Sequence, residues 1–215
     1  TAGLGGMSGA QPKAGNIAKC ITVCAEVNLK VVEIRHSQGW VDEVFSDIDK
    51  LMKRVKVAKK NKEVVSLAYH GNIITIWKEF YKNNIFIDIG SDQTSLHNPW
   101  SGGYYPEGID FENANKMISN DPSLFKLKVK ESLLLHTEFI NKHCEKGSYF
   151  FDYGNAFLLE TSKAGGDVFS DDGVNFKFPS YVQDIMGPMC FDYGFGPFRW
   201  VCSSNQKEDL KATDR

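Results

Sequence analysis

The sequence lacks the features that mark several large classes of protein. Its 215 residues carry 25 Lys and Arg against 27 Asp and Glu, so there is no basic excess that would favour nucleic acid or an anionic membrane surface. No apolar run approaches the roughly 20 residues of a membrane-spanning helix, and no secretory leader precedes the first glycines. We therefore expect a cytoplasmic protein with no nucleic-acid or membrane partner.

Cysteine is too sparse and too irregularly spaced for a disulfide framework or a zinc site. The five cysteines form an odd set without a CxxC pair, which predicts reduced thiols and no bound metal. The residues are Cys20, Cys24, Cys144, Cys190 and Cys202.

Strand-like and helix-like segments alternate along the chain, which is typical of an α/β protein. Residues 20–27 (CITVCAEV) predict a buried parallel strand that carries Glu26 near its end. Residues 64–72 predict a second strand, and residues 85–99 predict a third that breaks into a polar loop. A further short strand is predicted from Tyr149.

Helical patterns fill the segments between these strands. Helices are predicted over residues 12–19, 48–58 and 74–83, and the many basic residues of the second are interpreted as a solvated face. Residues 110–145 predict one or two helices, with a start at Asp121-Pro122. The core positions predicted in this last region are Leu124, Leu127, Leu134 and Ile140.

The chain opens with a glycine-rich loop, TAGLGGMSGAQ. Glycine lets the main chain approach a ligand closely, and the N–H groups at the start of a following helix attract phosphate. Glu26 lies where a carboxylate would accept hydrogen bonds from ribose hydroxyls and repel a 2′-phosphate, which favours NAD over NADP. Because Ser8 stands where the GxGxxG pattern has its third glycine, these residues alone leave dinucleotide binding and a tight structural turn both open.

Polar residues follow the other predicted strands, at the edge where α/β proteins bind ligands. Asn72, residues 93–97 and Asn155 are candidates for such a site, although each also fits a helix cap or a turn. Three tyrosines fit either contact with a cofactor or ordinary packing. They are Tyr104, Tyr105 and Tyr153.

Four stretches taken together resemble the urocanase family, in its eukaryotic-type branch: GLGGMSGAQ, DIGSDQTSLHNPWSGGYYP, FDYGNAFLLE and MGPMCFDYGFGPFRWVC. The resemblance runs in order from Thr1 to Arg215. It implies that residues 1–215 are the central NAD-binding domain of a longer enzyme, Rossmann-like, with three layers, a mostly parallel sheet and a truncated first strand.

The activity implied by this resemblance is the addition of water to urocanate, giving imidazolone propionate in histidine degradation. NAD+ would act as a non-redox electrophile towards the imidazole ring, and the full-length enzyme would be a homodimer. The catalytic cysteine proposed for the family lies beyond Arg215, so no catalytic residue is assigned and the isolated chain is expected to be inactive. Cys20, Cys24 and Cys202 are then expected to be small core residues.

The resemblance also implies cofactor contacts, position by position. Two features depart from the bacterial relatives: Val31 stands where they carry an arginine, and the GGYYP segment is one residue longer. The implied contacts are Gly6, Met7, Ser8, Glu26, Asn72, Ile73, Gln93, Thr94, Ser95, Leu96, His97, Tyr104, Tyr105 and Tyr153.

Two further hypotheses remain open from the sequence. The glycine loop and Glu26 also fit a free-standing NAD-dependent oxidoreductase. Alternatively, the domain folds without a competent cofactor site and associates with itself through an exposed sheet edge. Bound NAD+ would support the urocanase and oxidoreductase hypotheses, whereas adduct chemistry on an imidazole ring would support only the first.

Overall fold

The structure, a computed structural model, describes residues 1–6, 8–92, 96, 98–154, 156–194, 204 and 206–213. Its strands are β1 (Ile21–Glu26), β2 (Glu43–Phe45), β3 (Val65–His70), β4 (Ile89–Asp92) and β5 (Tyr149–Asp152). Its α-helices are α1 (Gln11–Ile17), α2 (Leu29–Ser37), α3 (Ile48–Asn61), α4 (Ile73–Lys82), α5 (Phe111–Asn120), α6 (Pro122–Cys144), α7 (Phe157–Ala164), α8 (Gly187–Phe191) and α9 (Lys207–Thr213).

The strands form two parallel groups, with orders β1-β3-β2 and β4-β5. The first residues of the chain lie between these groups. Ala2 pairs in parallel with Ala25 of β1, and the Thr1 Oγ1 atom lies 3.1 Å from Oγ of Ser91 in β4. β1 thus lies on one side of this first segment, and β4, which comes later in the chain, lies on the other side. This is the arrangement of a doubly wound fold. The Rossmann-like α/β prediction is confirmed.

Alternate residues of the central strands face two different cores. Cys24 of β1 and Ala68 of β3 join Val32 of α2 in a small cluster on one face. Leu67 and Tyr69 of β3 point to the opposite face and join the large core under α3, α4 and α6. Since side chains alternate along a strand, helices on both faces give the predicted three layers.

Three helices begin where the sequence places a capping side chain. Asp47 accepts hydrogen bonds from the first turn of α3, Asn72 from Ile74 N of α4, and Asp121 from Leu124 N of α6. Each carboxylate or amide oxygen satisfies an N–H group that has no partner within its helix. The predicted starts of α3 and α6 are confirmed, and α4 begins one residue before its predicted start. The lysines of α3 are exposed, as expected for a solvated face.

The core face of α6 was predicted wrongly at three of four positions. Ile140 is fully buried, but Leu124, Leu127 and Leu134 are 38%, 51% and 40% exposed. Apolar residues occur almost all round this helix, so its spacing does not specify which side faces the core. The residues that are buried are Phe125, Val129, Ser132, Leu133, His136, Thr137, Ile140 and His143.

Two smaller predictions also need correction. β4 starts at Ile89 and not at residue 85, because its partner β5 starts at Tyr149 and offers no ladder to the preceding residues. Cys20 is exposed because it precedes β1, whereas Cys24 is buried as expected. The described cysteines are free thiols, and Cys202 lies outside the described residues.

Neither a membrane span nor a metal cluster is found in the part of the chain that the structure describes. None of its helices combines the length and the apolar composition needed to cross a membrane. No three or more His, Cys, Asp or Glu side chains there are grouped so that they could hold a metal ion.

The adjacent leucines of α6 provide a test of its buried face. Leu133 is fully buried and Leu134 is 40% exposed. Leu133→Ala should lower the free energy of unfolding by about 2–5 kcal/mol, because it removes packed methyl groups and leaves a cavity. Leu134→Ala, the matched control, should change it by less than about 1 kcal/mol. Urea denaturation measures both, and equal losses would contradict this orientation of α6.

Candidate functional site

A cavity of about 190 Å³ opens beside the glycine loop, at the carboxyl ends of β1 and β3. Its wall is completed by the loop that contains Gly102 and Gly103. The predicted site residues that line it are Ser8, Glu26, Asn72, Ile73, Tyr104 and Tyr105. Five other predicted contacts, and Asn155, fall outside the described residues: Met7, Gln93, Thr94, Ser95 and His97.

Glu26 connects the glycine loop to the end of β1. Its Oε2 atom accepts a hydrogen bond of 2.9 Å from Leu4 N, and its Oε1 atom accepts one of 2.9 Å from Asn28 N. A carboxylate has about four acceptor positions, so these two bonds orient the group and leave capacity for a ligand hydroxyl. Glu26 is therefore both a structural link and an available acceptor at the cavity.

The glycines of the loop have different structural roles. Gly3 has a positive φ of 85°. A Cβ atom at Gly5 would meet only Ser8 Oγ, at 3.8 Å, and one at Gly6 would meet nothing within 4 Å. Protein packing therefore does not require glycine at these two positions, whereas a ligand lying against the main chain would. Because α1 has only seven residues, this open main chain supports a phosphate site better than a helix dipole does.

The side-chain amide of Asn72 makes hydrogen bonds within the protein through both its oxygen and its nitrogen. Its Oδ1 atom accepts a hydrogen bond of 3.0 Å from Ile74 N, and its Nδ2 atom donates one of 2.8 Å to the Tyr105 carbonyl. Asn72 thus caps α4 and ties the end of β3 to the opposite wall. These contacts use two of the four hydrogen-bonding positions of the amide, and Asn72 and Ile73 also present their main chain at this edge of the cavity.

The two wall tyrosines also direct their hydroxyls into the protein. Tyr104 is buried, and its hydroxyl lies 3.1 Å from Nδ1 of His136 in α6. The Tyr105 hydroxyl donates a hydrogen bond of 3.0 Å to Asn115 Oδ1. Burial raises the pKa of Tyr104 well above its usual value and raises the pKa of Tyr105 as well. The wall consequently offers rings and main chain, with both phenols protonated in neutral solution.

Three other residues from the sequence analysis lie away from this cavity. Leu96 is fully buried within the large core. The Tyr153 ring stacks on Tyr181, with centroids 5.0 Å apart and planes at 9°. Val31, at the position where bacterial relatives carry arginine, packs against the small cluster that contains Leu4. None of these three side chains is placed among the residues that line the cavity.

Sequence reasoning missed several parts of the cavity wall. Gly71 and the Gly102-Gly103 pair line it, and paired glycines were an available signal for close approach of a main chain. It also missed Arg35, whose guanidinium holds carbonyl groups of the glycine loop. No local pattern links Arg35 to a loop about thirty residues earlier in the chain.

Comparison with known proteins gives one family. Residues 1–185 match the Urocanase Rossmann-like domain, and residues 188–215 match the Urocanase C-terminal domain. The chain is 48% identical over 219 residues to a probable urocanate hydratase of Caenorhabditis elegans. It is 49% identical over 222 residues to urocanate hydratase of Mus musculus, and 48% identical over 221 residues to that of Homo sapiens.

These alignments cover the whole of this chain but only part of each relative. In all three cases the match spans 100% of this chain and 32% of the relative. The chain therefore corresponds to about a third of the length of these proteins.

The buried His136 behind the cavity wall predicts a dependence of stability on pH. Burial lowers the pKa of His136 to about 3 from its ordinary 6.5, so the folded chain favours the neutral ring. The unfolded chain takes up a proton below about pH 6.5, and the stability contributed by neutral His136 is therefore complete above that pH and is lost as the pH falls towards 3. His136→Asn retains a polar partner for Tyr104 without titrating, and should weaken this dependence.

Urea denaturation at a series of pH values between 6.5 and 3 measures the effect. His36→Asn is the matched control, because His36 is exposed on α2, and it should change the pH dependence less than His136→Asn does. An unchanged pH dependence in His136→Asn would contradict burial of a neutral imidazole at this position.

Proposed function

Because this chain belongs to the urocanase family, we propose that it is the NAD+-binding part of a urocanate hydratase. Such an enzyme adds water to urocanate to give imidazolone propionate, a step of histidine degradation. The observation that carries the cofactor proposal is the Glu26 carboxylate, which is fixed at the end of β1 beside an open glycine main chain. That placement suits a ribose and an adjoining pyrophosphate.

The size of the cavity suits part of a dinucleotide. Its volume is about 190 Å³, below the roughly 300–1,000 Å³ of typical small-molecule pockets. The adenosine ribose and the pyrophosphate would lie against Glu26 and the open faces of Gly5 and Gly6. The remainder of the cofactor would extend past the end of β4, where the contacts proposed at residues 93–97 begin.

Each wall residue has a distinct part in this proposal. Glu26 accepts hydrogen bonds from the ribose hydroxyls and repels a 2′-phosphate. Asn72 and Ile73 contact the cofactor through their main chain, and Tyr104 and Tyr105 confine it from the opposite side. When bound, NAD+ would supply an electrophilic nicotinamide ring to the substrate's imidazole. The other proposed contacts are Gly6, Met7, Ser8, Leu96 and Tyr153.

The proposals about catalytic residues, substrate, compartment and oligomeric state rest on the same membership of the urocanase family. No catalytic residue is proposed within residues 1–215. The substrate would be a small molecule, urocanate, and the full-length protein a cytoplasmic homodimer. The cofactor site is proposed for residues 1–185, while the sequence-based expectation that residues 1–215 act as one domain stays a prediction.

Calorimetric titration of the folded 215-residue chain with NAD+ and NADP+ tests the cofactor proposal. NAD+ should bind at least about tenfold more tightly than NADP+, because the Glu26 carboxylate opposes a 2′-phosphate. Glu26→Gln should narrow this preference. Glu33→Gln, which removes an exposed carboxylate on α2, should leave it unchanged. Equal affinities for the two dinucleotides in the parent, or binding of neither, would contradict the proposal.

The activity is tested separately, with the full-length protein. It should consume urocanate, seen as loss of the ultraviolet absorbance of the conjugated substrate, whereas the 215-residue chain with added NAD+ should not. Turnover by the chain alone would contradict the proposal that its catalytic residues lie elsewhere. Absence of turnover by a folded, NAD+-loaded full-length protein would contradict the assigned reaction.

A further inference from the structure

Arg35 of α2 directs two of its three side-chain hydrogen bonds to the glycine loop. Its Nε atom donates to the Leu4 carbonyl at 2.8 Å, and its Nη2 atom donates to the Gly5 carbonyl at 2.6 Å. Its Nη1 atom donates to Gln38 Oε1 at 2.9 Å. A planar guanidinium with donors in a fixed fork suits two consecutive carbonyl groups better than a flexible ammonium does. Arg35 therefore fixes the direction of two adjoining peptide groups.

Trp40 holds the guanidinium in place. The Arg35 Cζ atom lies 4.8 Å from the centroid of the Trp40 ring, and both residues are only partly exposed. Stacking on an aromatic face stabilises a cation and restricts its movement. Within the described part of the chain, no carboxylate lies within ion-pairing distance of Arg35. The positive charge of the Arg35 guanidinium therefore lies beside the glycine loop without a neutralising carboxylate among the described residues.

Gly9 accommodates this arrangement. A Cβ atom at Gly9 would overlap Nε and Cζ of Arg35, so a larger residue there would push the guanidinium away. Gly9 N also donates a hydrogen bond of 3.0 Å to the Gly5 carbonyl, the same oxygen that accepts from Arg35. The position of the Arg35 guanidinium therefore requires glycine at residue 9. The Cβ positions of Gly5 and Gly6, in contrast, are open.

The Leu4 peptide is held on both sides. Its N–H group donates to Glu26, its carbonyl accepts from Arg35, and its side chain is fully buried. We propose that Arg35 is a positioning residue for the cofactor: by binding the Leu4 and Gly5 carbonyls, it keeps residues 4–6 in the conformation that receives a dinucleotide pyrophosphate. This inference rests on the proposed NAD+ site and adds to it a residue that lies outside the cavity wall.

Calorimetric titration of the 215-residue chain with NAD+ tests this role in three variants. Arg35→Gln should weaken binding at least about tenfold, since two charge-assisted hydrogen bonds to the loop are lost. Arg35→Lys keeps the charge but has no fork, and should recover only part of the loss. Arg54→Gln is the matched control: Arg54 pairs with Glu43 and Glu63 away from the cavity, and its loss should change the affinity less than about twofold.

Amide hydrogen exchange separates positioning from a general loss of stability. Arg35→Gln should raise exchange in the peptide that covers residues 3–10 and leave β3 unchanged, whereas global destabilisation would raise exchange in both. If the parent binds NAD+ and Arg35→Gln binds it equally well, or if Arg35→Lys restores full affinity, the positioning role is overturned while the cofactor proposal stands. If the folded parent does not bind NAD+, both fall.

Discussion

The hydrogen bond from the Leu4 N–H group to the Glu26 carboxylate holds together the two segments between which the candidate site forms. One segment is the glycine loop and the other is the end of β1, and residues of both line the cavity. Both oxygens of Glu26 accept from the backbone, since Asn28 N occupies the second. An aspartate is one methylene shorter and would not reach both N–H groups without movement of the chain, so these two contacts require the length of a glutamate side chain.

The opposite wall depends on the long helix α6. His136 lies in its buried face and contacts the hydroxyl of Tyr104, while its ring packs against Phe157 with centroids 5.0 Å apart and lies 6.3 Å from Trp77 of α4. A neutral imidazole is tolerated in such surroundings far better than a charged one. The position of the wall is thereby linked to the packing of α6 against α4 and α7, and the protonation state of one histidine contributes to keeping it there.

Much of this fold could be predicted from local pattern, and the exceptions have physical reasons. The strands β1 and β3 and the starts of α3 and α6 depend on short-range signals, and the structure has them as predicted. The buried face of α6 could not be predicted, because its leucines occur on several sides and tertiary contacts select Leu133 over Leu134. For the cavity, residue types at strand ends were sufficient to find Glu26 and Asn72, both of which line it. The hydrogen-bond partners of Glu26 and Asn72, and the role of Arg35, depend on contacts between segments that are far apart in the sequence. No periodic pattern in the sequence indicates such contacts.

The commitment of both tyrosine hydroxyls inside the protein has a consequence for how the cavity responds to its surroundings. Tyr104 and Tyr105 give their hydroxyls to His136 and Asn115, and burial raises the pKa of both phenols. The two phenols therefore stay protonated in neutral solution. They offer no phenolate that could bind a metal ion or react with an oxidant. This wall acts as an inert, shape-defining surface, and the chemistry of any bound molecule is left to groups beyond it.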